Sequence, residues 1–215
     1  MKFHLQVYST MNLSTDKKYL FIAIPKTGTT SIEKNLLEYG HWLIDGKPTH
    51  KHIFAQTARK MLGQQRFDEY FKFTFVRNPW DLYRSFYRYT IKMSQAAVPE
   101  ILFHDKFVQK CKQLHQDGVL TFEEFIHNKI LHPPAQYKFI TDNDDNIIVD
   151  YIGKFEHIDK DYEHICSKIG IKYNPVPHLN KASLYSSYRT IYTKETKDIV
   201  EERCKMDIEM FKYKF

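Results

Sequence analysis

An α/β fold in three layers, with a central parallel sheet and helices on both faces, is what this sequence predicts. Two short apolar runs, KKYLFIAI at Lys17–Ile24 and FKFTFV at Phe71–Val76, read as buried strands. Each hands over at once to a loop and a helical pattern. Strands alternating with helices argue for parallel pairing through right-handed crossovers. With 215 residues, 42% hydrophobic and 15% aromatic, the chain suffices for one well-buried core, so a single domain over 1–215 is expected.

Taken in order, the first strand stops at Pro25, and TGTTSIEKNLLEYG follows. It places Thr and Ser at a helix start, apolar Ile32, Leu36 and Leu37 at helical spacing, and Gly40 at the exit. Ile53 to Leu62 reads as a further helix. After the second strand, Asn78 is suited to cap a helix whose first residue is Pro79, with Asp81 in its first turn. Val108–Leu114 and Phe122–Ile126 read as helical. QYKFITDNDDNIIVDYIGKF reads as a hairpin turning on the DNDD cluster. Asp159–Ile169 is helical and closed by Gly170. NPVPHLNKASLYSSYRT then forecasts a long surface loop before a last helix from Lys194.

The 7 Gly and 8 Pro and the 27% charged residues exclude collagen-like, low-complexity and disordered classes. The 3 cysteines, Cys111, Cys166 and Cys204, are odd in number and far apart, which argues against a disulfide framework or a structural zinc site and for a reducing compartment. No run approaches the ~18 apolar residues of a membrane span, and no signal-peptide stretch opens the chain. A cytoplasmic protein is therefore expected. The net charge of +6 favours an anionic partner. Its distribution is uneven: Arg77, Arg84, Arg88 and Lys92 face only Asp81 in one stretch, while Thr141–Asp150 holds four aspartates and no base. A local anion site is the sharper expectation.

IPKTGTTS, Ile24–Ser31, lies where a strand gives way to a helix, the place where backbone N–H groups and the helix dipole converge on an anion. Gly28 allows close backbone approach, and Thr27, Thr29, Thr30 and Ser31 add hydroxyls. An ordinary capped turn would read the same way. Lys26 tips the balance, because a lysine beside the glycine turn can neutralise a bridging phosphate oxygen as it departs. The segment is not GxxxxGK[ST], so triphosphate cradling with Mg²⁺ is not indicated, and no metal site is expected. A second anion site is suggested by VRNPWDLYRSFYRY, where Arg77 stands at a strand end and Ser85 lies eight residues on, about two helical turns.

At these residues the chain resembles the sulfotransferases that use 3′-phosphoadenosine 5′-phosphosulfate (PAPS), especially the bacterial and Golgi-type carbohydrate branch. In that family a PKTGTTS-like loop, here Pro25–Ser31, binds the 5′-phosphosulfate, and an R-N-P-x(5)-S stretch, here Arg77 and Ser85, binds the 3′-phosphate. IGKFEHIDKDY is similar to a segment close to adenine, which implies Phe155 there. HLNKASLYSSYRTIYT is similar to a loop over the nucleotide and implies Asn180, Lys181 and Tyr188. The resemblance implies a P-loop-like fold, PAPS as donor, no metal, and a hydroxyl acceptor on a glycan or glycoconjugate rather than nucleic acid.

Sulfuryl transfer needs a base, and a histidine titrating near neutrality is suited. THKHIFAQTARKML resembles the segment between the two phosphate sites that often carries one, which makes His52 first choice and His50 second. HPPAQY places Gln136 in a segment similar to one lying toward the family's cleft; a proline-rich turn is the plain alternative, and Gln136 is not counted as catalytic. Two rival classes remain: a P-loop nucleotide kinase or other phosphotransferase, and a nonenzymatic polyanion binder.

Overall fold

The structure is a computed structural model. It describes residues 12–40, 52–95, 109, 111–113, 120–128, 131–177 and 187–215, together with the backbone of 43–44 and 47–48. The chain divides into two compact units, each assembled from two segments: 1–77 with 135–182, and 78–134 with 183–215.

The first unit is built on a four-stranded sheet in the order β1 (Asn12–Ser14), β2 (Tyr19–Ile22), β5 (Phe71–Val76), β6 (Tyr151–Lys154). β2, β5 and β6 run parallel, and β1 adds antiparallel to the edge. A short pair, β3 (Leu43–Ile44) and β4 (Lys47–Pro48), stands apart from it. The helices are α1 (Thr29–Leu36), α2 (Ala55–Leu62), α3 (Gln64–Glu69) and, after β6, α6 (Ile158–Ile169). This is the α/β architecture that the sequence predicts.

Strand alternation divides the sheet's side chains between its faces. Tyr19, Phe21, Ala23, Phe73 and Phe75 form one core with Ile32 and Leu36 of α1 and Ile158, Tyr162, Ile165 and Ile169 of α6. Phe21 and Phe73, directly paired across β2 and β5, stack at 5.1 Å. Leu37, expected on the apolar stripe, is exposed at the helix end; Leu36 alone fills that turn. On the opposite face Lys72 is buried. Its ammonium reaches Asp150 Oδ2 at 2.9 Å and the carbonyls of Tyr70 and Phe67, while the same carboxylate oxygen accepts the Lys72 N–H at 2.7 Å. That pair fastens the start of β6 to β5.

The predicted hairpin is corrected. Asp142 Oδ1 accepts the N–H groups of Asp144 and Asn146, so the aspartate cluster does form a turn. Only one bridge, Thr141 with Ile147, closes it. The following residues leave to pair in parallel with β5, where Gly153 lies against the Phe75 ring and a Cβ would stand 2.6 Å from a ring carbon.

The second unit is helical: α4 (Pro79–Gln95), α5 (Phe122–His127), α7 (Lys194–Arg203) and α8 (Lys205–Phe211). Residues 111–113 are helical, within the predicted 108–114 segment. Trp80, Tyr83, Phe125, Ile126, Leu131 and Val200 form its core. Thr121 with Glu124, and Thr193 with Thr196, start α5 and α7 with reciprocal capping boxes. All three cysteines are free and buried, and burial pushes the Cys204 thiol up to about 12. Among the described residues no helix is long and apolar enough to cross a membrane.

Candidate functional site

β2 ends one residue before Ala23, and the chain turns through Pro25–Gly28 into α1. Two residues in this turn take left-handed backbone conformations: Gly28 at φ 86° and Lys26 at φ 67°. For a residue with a Cβ this costs about 1–2 kcal/mol, so something must hold Lys26 there. Arg77 does: its Nη1 donates to the Lys26 carbonyl at 3.1 Å. Thr27 closes the turn from inside, its buried hydroxyl donating to the Ile24 carbonyl at 2.9 Å. That hydroxyl, counted in the sequence as an anion donor, is thus used by the loop itself.

Gly28 is required twice. Besides its positive φ, a Cβ would meet Ile158 Cδ1 at 2.6 Å and the Phe155 ring at 3.2 Å. Gly28 is also the N-cap of α1, which starts with no side-chain cap and no acidic residue in its first turn. Thr29 and Ser31 are buried and Thr30 is exposed. A helix start without its own cap or countercharge is the arrangement that favours an anion.

Arg77 follows β5 directly and is only 8% exposed, so it is not a solvated surface residue. Its guanidinium lies over the Phe155 ring at 4.1 Å, a cation–π contact. Phe155 therefore touches both Gly28 and Arg77, and the two strand ends are joined through it. Gln136, fully buried, clasps the Arg77 peptide: its Oε1 accepts the Arg77 N–H at 2.8 Å and its Nε2 donates to the Arg77 carbonyl at 2.8 Å. No residue pattern in HPPAQY announces this clasp, which is made across 59 positions of sequence.

His52 belongs to the same unit. Its Nδ1 lies 2.7 Å from the Ala23 carbonyl, at the mouth of the loop. A carbonyl oxygen only accepts, so Nδ1 carries the proton, and in the neutral ring Nε2 holds the lone pair. The side chain is exposed. The fold thus brings Lys26, Gly28, His52, Arg77, Gln136 and Phe155 into one unit.

Ser85 and Tyr188 belong to the second unit. Ser85 is half-buried in α4. Tyr188, also half-buried, packs edge-on against Phe215 at 5.8 Å. His50, Asn180 and Lys181 lie outside the described residues. Of the basic cluster after β5, Arg84 is taken by Asp81 at 2.9 Å. Glu123, His127 and Glu195, all exposed, are grouped closely enough to share a cation. They stand in the second unit.

The sequence profile described as "Sulfotransferase family" matches residues 9–214. An uncharacterized protein of Archaeoglobus fulgidus is 27% identical over 139 residues, covering 64% of this chain and 98% of that protein. No solved structure gives a significant match.

Proposed function

The chain belongs to the sulfotransferase family, and we propose that it moves the sulfuryl group of PAPS to a hydroxyl, on a carbohydrate acceptor, by in-line displacement without a metal. The observation that carries this reading is the union of an uncapped helix start with a buried arginine. Arg77 holds the loop at the Lys26 carbonyl and packs on Phe155, which itself packs on Gly28. Two anion-binding strand ends built as one piece suit a donor that carries two separate phosphate groups.

In this reading Pro25–Ser31 wrap the 5′-phosphosulfate. Thr27 acts through its backbone, and Thr29, Thr30 and Ser31 act through hydroxyls and N–H groups. Arg77 and Ser85 take the 3′-phosphate, Phe155 borders the adenine, and Asn180, Lys181 and Tyr188 cover the nucleotide. The acceptor oxygen attacks sulfur while the bond from sulfur to the 5′-phosphate oxygen breaks. Lys26 neutralises the charge growing on that departing oxygen. The acceptor proton passes to His52 Nε2, whose ring is oriented by the bond from Nδ1 to Ala23; His50 is the second choice. Three buried free thiols suit a reducing cytoplasm.

Adenosine 3′,5′-bisphosphate should raise the melting temperature well above the shift given by ATP with Mg²⁺ or by an oligonucleotide, and transfer should survive excess EDTA. The reverse order, with EDTA inhibition relieved by Mg²⁺, would replace this reading with a phosphotransferase. For the base, His52→Ala should lower the rate about 10²-fold or more with donor affinity nearly intact. In the wild type the rate should fall on acidification as the imidazole is protonated. That limb should be missing in the variant.

A further inference from the structure

We infer that Gln136 is a positioning residue that sets the donor selectivity of the site by fixing Arg77. The inference rests on the PAPS reading above and extends it to a residue with no contact to the donor itself.

The physical case starts at the end of β5. The ladder to β6 finishes with Val76 paired to Lys154, and the chain after β6 turns at once into the short 3₁₀ segment Phe155–His157. Arg77 is buried, so its peptide N–H and C=O need partners that the sheet no longer provides. Gln136 supplies both from one side chain, each at 2.8 Å. A carboxamide has one acceptor and one donor side by side, so it takes the place of a neighbouring strand's peptide group. The need of the N–H for an acceptor and of the C=O for a donor fixes the orientation of the amide.

Gln136 is itself held firmly. Its own carbonyl accepts the N–H of Phe139 at 3.0 Å, which closes the 3₁₀ turn Tyr137–Phe139, and Phe139 packs on Phe54 at 4.7 Å. The Arg77 backbone is therefore pinned, while its guanidinium is aimed by the Phe155 ring and the Lys26 carbonyl. Without the carboxamide, the strand end gains freedom and the guanidinium loses its fixed origin. Bidentate recognition of a phosphate depends on that geometry.

No other side chain does this job at the same length. Glutamate accepts from the N–H but opposes the carbonyl with a second acceptor. Asparagine is one methylene short of bridging both groups. Methionine keeps the volume and loses both bonds.

The test compares Gln136→Met and Gln136→Asn with Arg77→Ala in the full chain. Calorimetry measures binding of adenosine 3′,5′-bisphosphate and of adenosine 5′-monophosphate, with melting curves to establish folding. Expected is a loss of about tenfold or more for the bisphosphate and about twofold or less for the monophosphate, in whichever Gln136 variant is folded. Donor KM should rise with kcat at saturating donor retained, because the contact serves ground state and transition state alike. Adding Gln136→Met to Arg77→Ala should cost no further selectivity, since the residue acts through Arg77. Equal losses for both nucleotides, or additive losses in the double variant, would overturn the inference as a merely structural effect. Wild-type selectivity in the folded Gln136 variants while Arg77→Ala loses it would overturn the inference and leave the donor reading standing. A wild type that binds the two nucleotides equally would overturn both.

Discussion

The two helices that follow parallel strands, α1 and α4, begin in opposite ways. α1 starts at a glycine with φ 86°, without a side-chain cap and without an acid in its first turn. α4 starts at Asn78, whose Oδ1 accepts the Trp80 N–H at 3.1 Å, continues with Pro79, and places Asp81 in the first turn, paired to Arg84. The second helix satisfies its own dipole, and the first does not. Similar strand, loop and helix strings thus yield two kinds of helix start. In the proposed reading, the first takes an anion through its helix start and the lysine before it, and the second through the arginine side chain that ends the strand. Lys26 keeps its strained backbone through the Arg77 bond to its carbonyl, while Asn78 and Pro79 occupy ordinary cap positions.

The largest expected effect separates the two helix starts by chemistry. Lys26→Ala should lower kcat at saturating donor about 10²-fold or more, with a smaller loss in nucleotide affinity, because its charge is needed as the bridging oxygen departs. Asp81→Asn, at the corresponding helix start, should leave kcat within about twofold while costing some stability. Measured side by side, unchanged turnover in the lysine variant would remove the distinction between the loops.

A charge placed on α1 sharpens the contrast further. Thr30 is exposed in the first turn of α1, so Thr30→Asp supplies the countercharge that this helix lacks. It should stabilise the free protein by about 0.3–1 kcal/mol through the dipole and at the same time weaken bisphosphate binding about tenfold or more. Higher stability with weaker binding is the signature of a helix start reserved for a ligand. A variant that is stabilised and still binds normally would show that the anion sits elsewhere.

The same contrast marks how far the sequence was legible. Phe71–Val76, the Asn78 cap, Pro79 at the first helical position and the Gly170 stop of α6 were readable because each rests on local chemistry. β1 escaped notice: NLS has no apolar alternation, and only pairing with β2 makes it a strand. The hairpin after Gln136 was misread because a real aspartate turn lay beside a strand whose partner is 78 residues earlier. At the site, the glycine loop and Arg77 announced themselves by type and spacing. The roles of Phe155 and Gln136 did not, since a ring under a guanidinium and a carboxamide on a peptide are products of tertiary packing. The tautomer of His52 likewise became readable only once the Ala23 carbonyl stood beside its ring.

The smallest expected effect concerns the cap that α1 lacks. Asn78→Ala removes the acceptor for the Trp80 N–H and also the bond from Nδ2 to the Lys214 carbonyl at 2.9 Å. Loss of an N-cap costs about 1 kcal/mol, and the part-buried Lys214 contact adds to it, so the melting temperature should fall by several degrees. The cap belongs to the helix and not to the ligand, so the further rise on adding adenosine 3′,5′-bisphosphate should equal that of the wild type. Should that ligand-induced rise vanish along with the cap, the start of α4 would be part of the donor site after all. The second anion site would then use its helix as the first one does, and the contrast between the two strand ends would be lost.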